Sequence, residues 1–248
     1  MSNGQRGGRL DVLGVAFDRV DLRGAARAIA DRLARSERTF VITGNPEFVM
    51  LARRDAEVAA IARRADLVIP DGTGIVAAAR LLGHPLPGRA PGRLLVDALL
   101  PTFAERGLSL YLLGAGDGVA ERAAARLRRR RPDLRIAGTH AGSASDDDAA
   151  DLVARAAPDV LLVAYGMPQQ ERWIARNLAR LPSVRLAMGV GGVFDQLAGV
   201  GVVPPALVHA VGLEWLWRLA REPRRWRRQR VLPLFALLVL AERARSRP

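Results

Sequence analysis

Residues 39–48 read TFVITGNPEF. Thr39 to Thr43 are β-favouring residues that predict a short strand ending at Thr43. Pro46 then suits the first position of a helix, where its missing N–H would have no helical partner anyway. That leaves Asn45 as the capping residue, with a side-chain oxygen able to accept from an N–H of the first turn. A strand that passes into a helix over two or three residues predicts an α/β sheet with parallel strands.

The pattern recurs along the chain. DLVIP (66–70), LSLYLLG (108–114), LRIAG (134–138), DVLLVAYG (159–166) and VRLAMGVGG (184–192) alternate with helical stretches such as 119–130 and 168–180. The fold class is therefore α/β, a largely parallel sheet flanked by helices, to which LDVLGVAFDRV (10–20) adds an edge hairpin. After about Val203 the composition changes. Pro204 and Pro205 precede a helical pattern in which Leu213, Leu216, Trp217 and Ala220 fall on one face, and Pro223 interrupts it before an arginine-rich run. This divides the chain into a catalytic core, residues 1–203, and a helical C-terminal appendage, residues 204–248.

Half of the 248 residues are hydrophobic, enough for a sizeable core. There is no cysteine, which excludes disulfides and thiolate metal sites, and His84, His140 and His209 are too scattered for a zinc cluster. The net charge of +13 is carried by arginine alone, and from Arg218 onward ten arginines face only Glu222 and Glu242. Eight of the thirteen net charges thus sit in the tail, which points to an anionic partner at that end. The N-terminus lacks the apolar stretch of a secretion signal, and Val231 to Ala241 is far below the roughly 20 apolar residues of a membrane span.

In parallel sheets ligands gather at the carboxyl ends of strands, so the loops there are the candidate site. Asn45 is either a cap alone or a cap that also touches ligand. Asp71 in IPDGTG (69–74) is either an N-cap or a carboxylate placed to take a proton from a substrate hydroxyl. Gly114 and Gly116 in LGAGDGVAE (113–121) form either a phosphate-cradling turn or a plain tight turn. The stretch fails the dinucleotide fingerprint, because Val119 stands at the sixth position. In YGMPQQE (165–171), Pro168 suits a helix start and puts Gln170 and Glu171 in its first turn. Gly189, Gly191 and Gly192 allow close backbone approach to a ligand, and Asp195 follows in a loop. The run Asp146-Asp147-Asp148 reads as a solvated helix start and not as a metal site.

Taken in order, TGNPE (43–47), PDGTG (70–74), GRAPG (88–92), YLLGAGDGVA (111–120), APDVLLVAYGMPQQE (157–171), GVGGVFDQLAG (189–199) and GLEWLWRLAREPRR (212–225) resemble the WecG/TagA/CpsF family of bacterial glycosyltransferases. The resemblance runs from about residue 10 to about 235. It implies a Rossmann-like core and an inverting, metal-independent transfer of a hexose such as N-acetylmannosamine, with no cofactor. The donor would be a UDP-sugar and the acceptor a polyprenyl-diphosphate-linked saccharide. Such reactions serve teichoic acid, common antigen, capsule or exopolysaccharide synthesis, and the enzyme would be peripheral on the inner face of the cell membrane. Asp71 matches the family's proposed base, Thr43 and Asn45 the polar loop beside it, Arg89 its Arg-Val-Pro-Gly element, Gln170 and Glu171 its Pro-Lys-Gln-Glu, and Asp195 its Gly-Gly-x-Phe-Asp. The chain departs from the family at Val203-Pro204-Pro205, where an arginine is usual.

The resemblance also assigns Trp217, Arg218, Arg221, Arg224, Arg225, Trp226 and Arg228 to an anionic membrane surface or to the substrate diphosphate. No nucleic acid is expected as a partner, and a homo-oligomer is left open. Two readings from other classes stand beside this one. A nucleotide-binding oxidoreductase would use LGAGDG, and an arginine-rich nucleic-acid-binding protein would use the tail.

Overall fold

The computed structural model describes residues 8–203, 205, 208, 214–221 and 226–245. Its centre is a six-stranded sheet, β3 (Thr39–Gly44), β4 (Leu67–Pro70), β5 (Ser109–Gly114), β6 (Arg135–His140), β7 (Val160–Ala164) and β8 (Leu186–Gly189), after a hairpin of β1 (Leu10–Val12) and β2 (Val15–Phe17). The strand order is β4-β3-β8-β7-β5-β6, and every pairing is parallel. All six sequence-predicted strands form.

The hairpin is a sheet of its own and not an edge of the larger one. Asp18, just after β2, explains why the ladder stops there. Its N–H donates to Val68 O at 2.9 Å, and its carboxylate accepts the Val68 N–H at 2.7 Å, so the β4 groups that a further strand would pair are taken by one residue.

Both faces of the sheet are covered, which is why its strands read as near-continuous apolar runs. Phe40, Ile42, Tyr111, Leu113, Leu161 and Val163 join one cluster with α2 (Pro46–Ala52), α3 (Ala56–Arg64), α4 (Thr73–Leu81), α7 (Ala149–Ala156) and α8 (Gln169–Asn177). Val41, Leu110, Leu112, Val160 and Leu162 join the other with α1 (Leu22–Ala34), α5 (Gly92–Glu105), α6 (Val119–Arg130) and α9 (Val193–Ala198). The period of two along each strand sends alternate side chains to opposite faces.

Neighbouring strands β3 and β8 feed helices on opposite faces, α2 on one and α9 on the other. Their loops therefore part, and a crevice opens at the carboxyl edge between them, the switch point of an open parallel sheet. Among the described residues α10 (Glu214–Arg221), α11 (Trp226–Gln229) and α12 (Val231–Arg245) lie beyond α9. Helix α12 lies against α2 and α4 and carries Phe235 and Val239 into the first core cluster. On its other side Leu234, Leu237 and Leu240 are exposed. Among the described residues, no helix is long and apolar enough to cross a membrane.

Candidate active site

A cavity of about 770 Å³ occupies the crevice. Its floor is made of the loops after β3, β4, β7 and β8, and its roof of the C-terminal helices.

The floor is braced at several points. Asn45 caps α2 by accepting the Phe48 N–H at 2.9 Å, as the sequence predicts, yet it also lines the cavity. The bond uses one lone pair of its carbonyl oxygen and leaves the other, with the amide NH₂, for a ligand. Asp71 is not a cap. Gly72, at φ +98°, occupies the cap position of α4, one residue after Asp71. The Asp71 N–H is held by Gly44 O at 2.8 Å, and Asp71 Oδ2 accepts from the Gly92 N–H at 3.5 Å. Thr43 donates its hydroxyl to Gly189 O at 3.3 Å, tying β3 to β8 where the crevice begins. The starts of α2 and α4 touch at Gly74, where a Cβ would stand 2.6 Å from Pro46 Cγ. Only a glycine lets the Asn45 and Asp71 loops come this close.

The wall after β7 and β8 rests on Gln170, which lies across Gly189. A Cβ at Gly189 would meet Gln170 Nε2 at 2.6 Å. Gln170 Oε1 accepts the Gly191 N–H at 2.9 Å, and its Nε2 donates to Glu171 Oε1 at 2.8 Å. Glu171 itself is only 1 % exposed and does not line the cavity. Burial pushes its carboxyl up to about 7, with the bond from Gln170 pulling the other way.

The roof is mostly apolar: Leu219, Trp226, Leu232, Pro233, Phe235, Ala236 and Val239, facing Ala77, Ala78 and Leu81 of α4. Trp226 is 57 % exposed while lining the mouth, and Arg230 and Gln229 supply polar groups beside it. In α10 the inward residue is Leu219, whereas Leu216 and Ala220 of the predicted apolar stripe are exposed. The helix borders the cavity, and Trp217, also of that stripe, is half-buried with its indole Nε1 shielded from solvent. Leu213 lies outside the described residues.

Of the residues singled out from the sequence, the structure brings Thr43, Asn45, Asp71, Gln170, Gly191, Gly192 and Trp226 to this one cavity. Arg89 sits in the loop whose next residue, Ala90, donates to Pro70 O at 2.8 Å, immediately before Asp71, but it is not part of the lining. Gly114 and Gly116 follow β5, beyond β7 from the crevice. Gly114 lacks a Cβ for a packing reason, since one would stand 2.8 Å from Tyr165 Cδ1. Asp195 lies in the first turn of α9 and not in a loop, because the strand-to-helix turn is completed by Gly192, and its carbonyl accepts from Val200 and Gly201 as the chain leaves the helix. Arg221 stacks its guanidinium 5.0 Å from the Trp217 ring centre, away from the lining. Arg224 and Arg225 lie outside the described residues, as do the side chains of Arg218 and Arg228.

Sequence reasoning missed Glu47, Met167, Arg230 and the apolar roof. Glu47 sits inside TGNPE and Arg230 in the arginine-rich tail, so proximity to Asn45 and Trp226 was the available signal. Among the described residues, no group of three or more His, Cys, Asp or Glu side chains forms a metal-holding cluster.

Residues 10–248 match the family described as glycosyl transferase WecG/TagA/CpsF. Three similar curated proteins carry the name N-acetylglucosaminyldiphosphoundecaprenol N-acetyl-beta-D-mannosaminyltransferase. One from Bacillus spizizenii is 34 % identical over 87 % of this chain and 84 % of its own length. One from Bacillus subtilis is 32 % identical over 82 % and 79 %, and one from Staphylococcus aureus 30 % over 92 % and 90 %.

Proposed function

This chain belongs to the WecG/TagA/CpsF family of glycosyltransferases, and we propose that it moves an N-acetylmannosamine-type sugar from a UDP-sugar to N-acetylglucosaminyl-diphosphopolyprenol. The observation that carries this reading is the two-sided cavity. Its floor offers carboxylates, hydroxyls, amides and glycine N–H groups, and its roof offers an apolar wall, the pair of surfaces that a sugar diphosphate on a hydrocarbon chain requires.

In this mechanism Asp71 takes the proton of the acceptor hydroxyl as that oxygen attacks the anomeric carbon, and UDP leaves from the opposite face, inverting the centre. Thr43, Asn45 and Gln170 orient sugar hydroxyls. Charge growing on the departing diphosphate is met by arginine and by the N–H groups of the glycine loop, with Arg230, among the described residues, the guanidinium that lines the cavity. Arginine and backbone N–H groups take the part that a cation would otherwise play at the diphosphate, so the reaction is metal-independent. Activity is therefore expected to survive excess EDTA, and strict dependence on added Mn²⁺ or Mg²⁺ would refute that part of the reading.

Residues 204–248 would act as an appendage that both roofs the site and meets an anionic membrane. Exposed Leu234, Leu237, Leu240 and Trp226 beside arginines support this. The decisive experiment is a screen of UDP-sugars for protection against thermal unfolding, followed by transfer onto a short-chain lipid diphosphate bearing N-acetylglucosamine. A protecting sugar that is then transferred supports the proposal. Protection by no UDP-sugar, with no transfer, overturns it.

A further inference from the structure

We infer that Glu171 is a positioning residue: from behind the cavity wall it fixes which way round the Gln170 amide stands, and so which hydrogen-bonding groups the wall presents to substrate. The inference rests on the proposed function, in which Gln170 faces the bound sugar or diphosphate.

The argument begins from what an amide can do. Gln170 has an oxygen with two lone pairs and an NH₂ with two hydrogens. One lone pair is used on the Gly191 N–H at 2.9 Å and one hydrogen on Glu171 Oε1 at 2.8 Å. These two partners have opposite polarity and sit on opposite ends of the same planar group. Turning the amide over would set its NH₂ against the Gly191 N–H, losing that bond, and would set its oxygen against the Glu171 oxygens, losing the second whenever the carboxylate is ionised. Gln170 is 4 % exposed and packed over Gly189, where water has little access to repair them. One hydrogen and one lone pair therefore remain, in fixed places, for whatever occupies the cavity.

Among the described residues Glu171 makes no other side-chain hydrogen bond to a neighbouring residue; its own backbone N–H also faces the carboxylate, and its Oε2 is buried without a partner. The ion pairs of the neighbouring α3 surface, Asp55 and Glu57, go to Arg172, one residue further along α8. A buried carboxyl whose one side-chain contact is the amide of a cavity residue is costly for the fold alone and explicable as a means of holding that amide. Its effect also extends to the glycine loop, because the Gly191 N–H is held only as firmly as Gln170 is.

The test uses the full chain and four variants: Glu171→Leu, Glu171→Gln, Gln170→Ala, and Glu171→Leu combined with Gln170→Ala. Two readouts are taken: amide hydrogen exchange of the 189–192 loop without ligand, and kcat and KM for transfer from UDP-N-acetylmannosamine. Glu171→Leu is expected to speed exchange at Gly191 and lower kcat, each about tenfold, with KM little changed. Glu171→Gln, which keeps an acceptor, should return both to within about threefold of the parent. In the Gln170→Ala background, Glu171→Leu should add no further loss, because the residue acts through the amide that has been removed. An equal loss in both backgrounds, or unchanged exchange in Glu171→Leu, overturns the inference. Glu171→Met applies the same test with a more adaptable side chain if the leucine variant does not fold. A parent protein that transfers no sugar would count against the proposed function, while the exchange readout still decides the role of Glu171.

Discussion

The two sides of the cavity are held by different forces. The floor is fixed by short polar ties and missing side chains: Thr43 to Gly189, Asp71 to Gly44, Gln170 to Gly191, and glycines at 74 and 189 that admit Pro46 and Gln170. The roof is fixed chiefly by two apolar side chains of α12, Phe235 and Val239, sunk between α2 and α4. Directional bonds suit atoms that must meet a reacting centre at set distances. Non-directional burial suits a wall that must accept a hydrocarbon without specifying its path.

Substitutions can break this contrast at either side. The largest effect is expected at the floor: Asp71→Asn should lower transfer about a thousandfold while UDP-sugar protection persists, and near-parental turnover would remove Asp71 as the base. Next comes Glu171 and pH. Its raised pKa means that the folded chain holds a proton that the unfolded chain has released between about pH 4.5 and about 7. Stability from this group is therefore full below that window and lost as pH rises through it, by up to roughly 3 kcal/mol. Denaturation of Glu171→Gln across pH 4 to 8 should show that slope removed.

A roof weakened by Phe235→Ala with Val239→Ala should reduce transfer to a long-chain polyprenyl acceptor roughly thirtyfold, with protection by the donor kept. If donor and acceptor suffer alike, the two sides are one unit and the contrast fails. The smallest change is Gly74→Ala, where the new methyl must displace Pro46. It should lower kcat severalfold, about fivefold, with little change in unfolding temperature.

The floor was largely legible in the sequence because its elements carry local signals. Strand runs and Pro46 after Asn45 follow from patterns within a dozen residues. The status of Asp71 was not legible, since an aspartate and a glycine side by side can each cap a helix and only the backbone angle at Gly72 decides between them. The burial of Glu171 was also hidden, because a first-turn glutamate ordinarily faces solvent near the helix dipole. The roof was least legible. VLPLFALLVLA is apolar on every side, so no period marks Phe235 and Val239 as the inward pair, and contact with α2 and α4 alone selects them.

The close approaches at Gly74 and Gly189 give this site a property that its bonds do not. Each is a gap one hydrogen atom wide, set between a helix start or strand end and a group in the cavity wall. Methyl, hydroxymethyl and isopropyl groups placed there in turn would act as wedges of graded thickness. They would measure, step by step, how far two loops can be forced apart before chemistry stops.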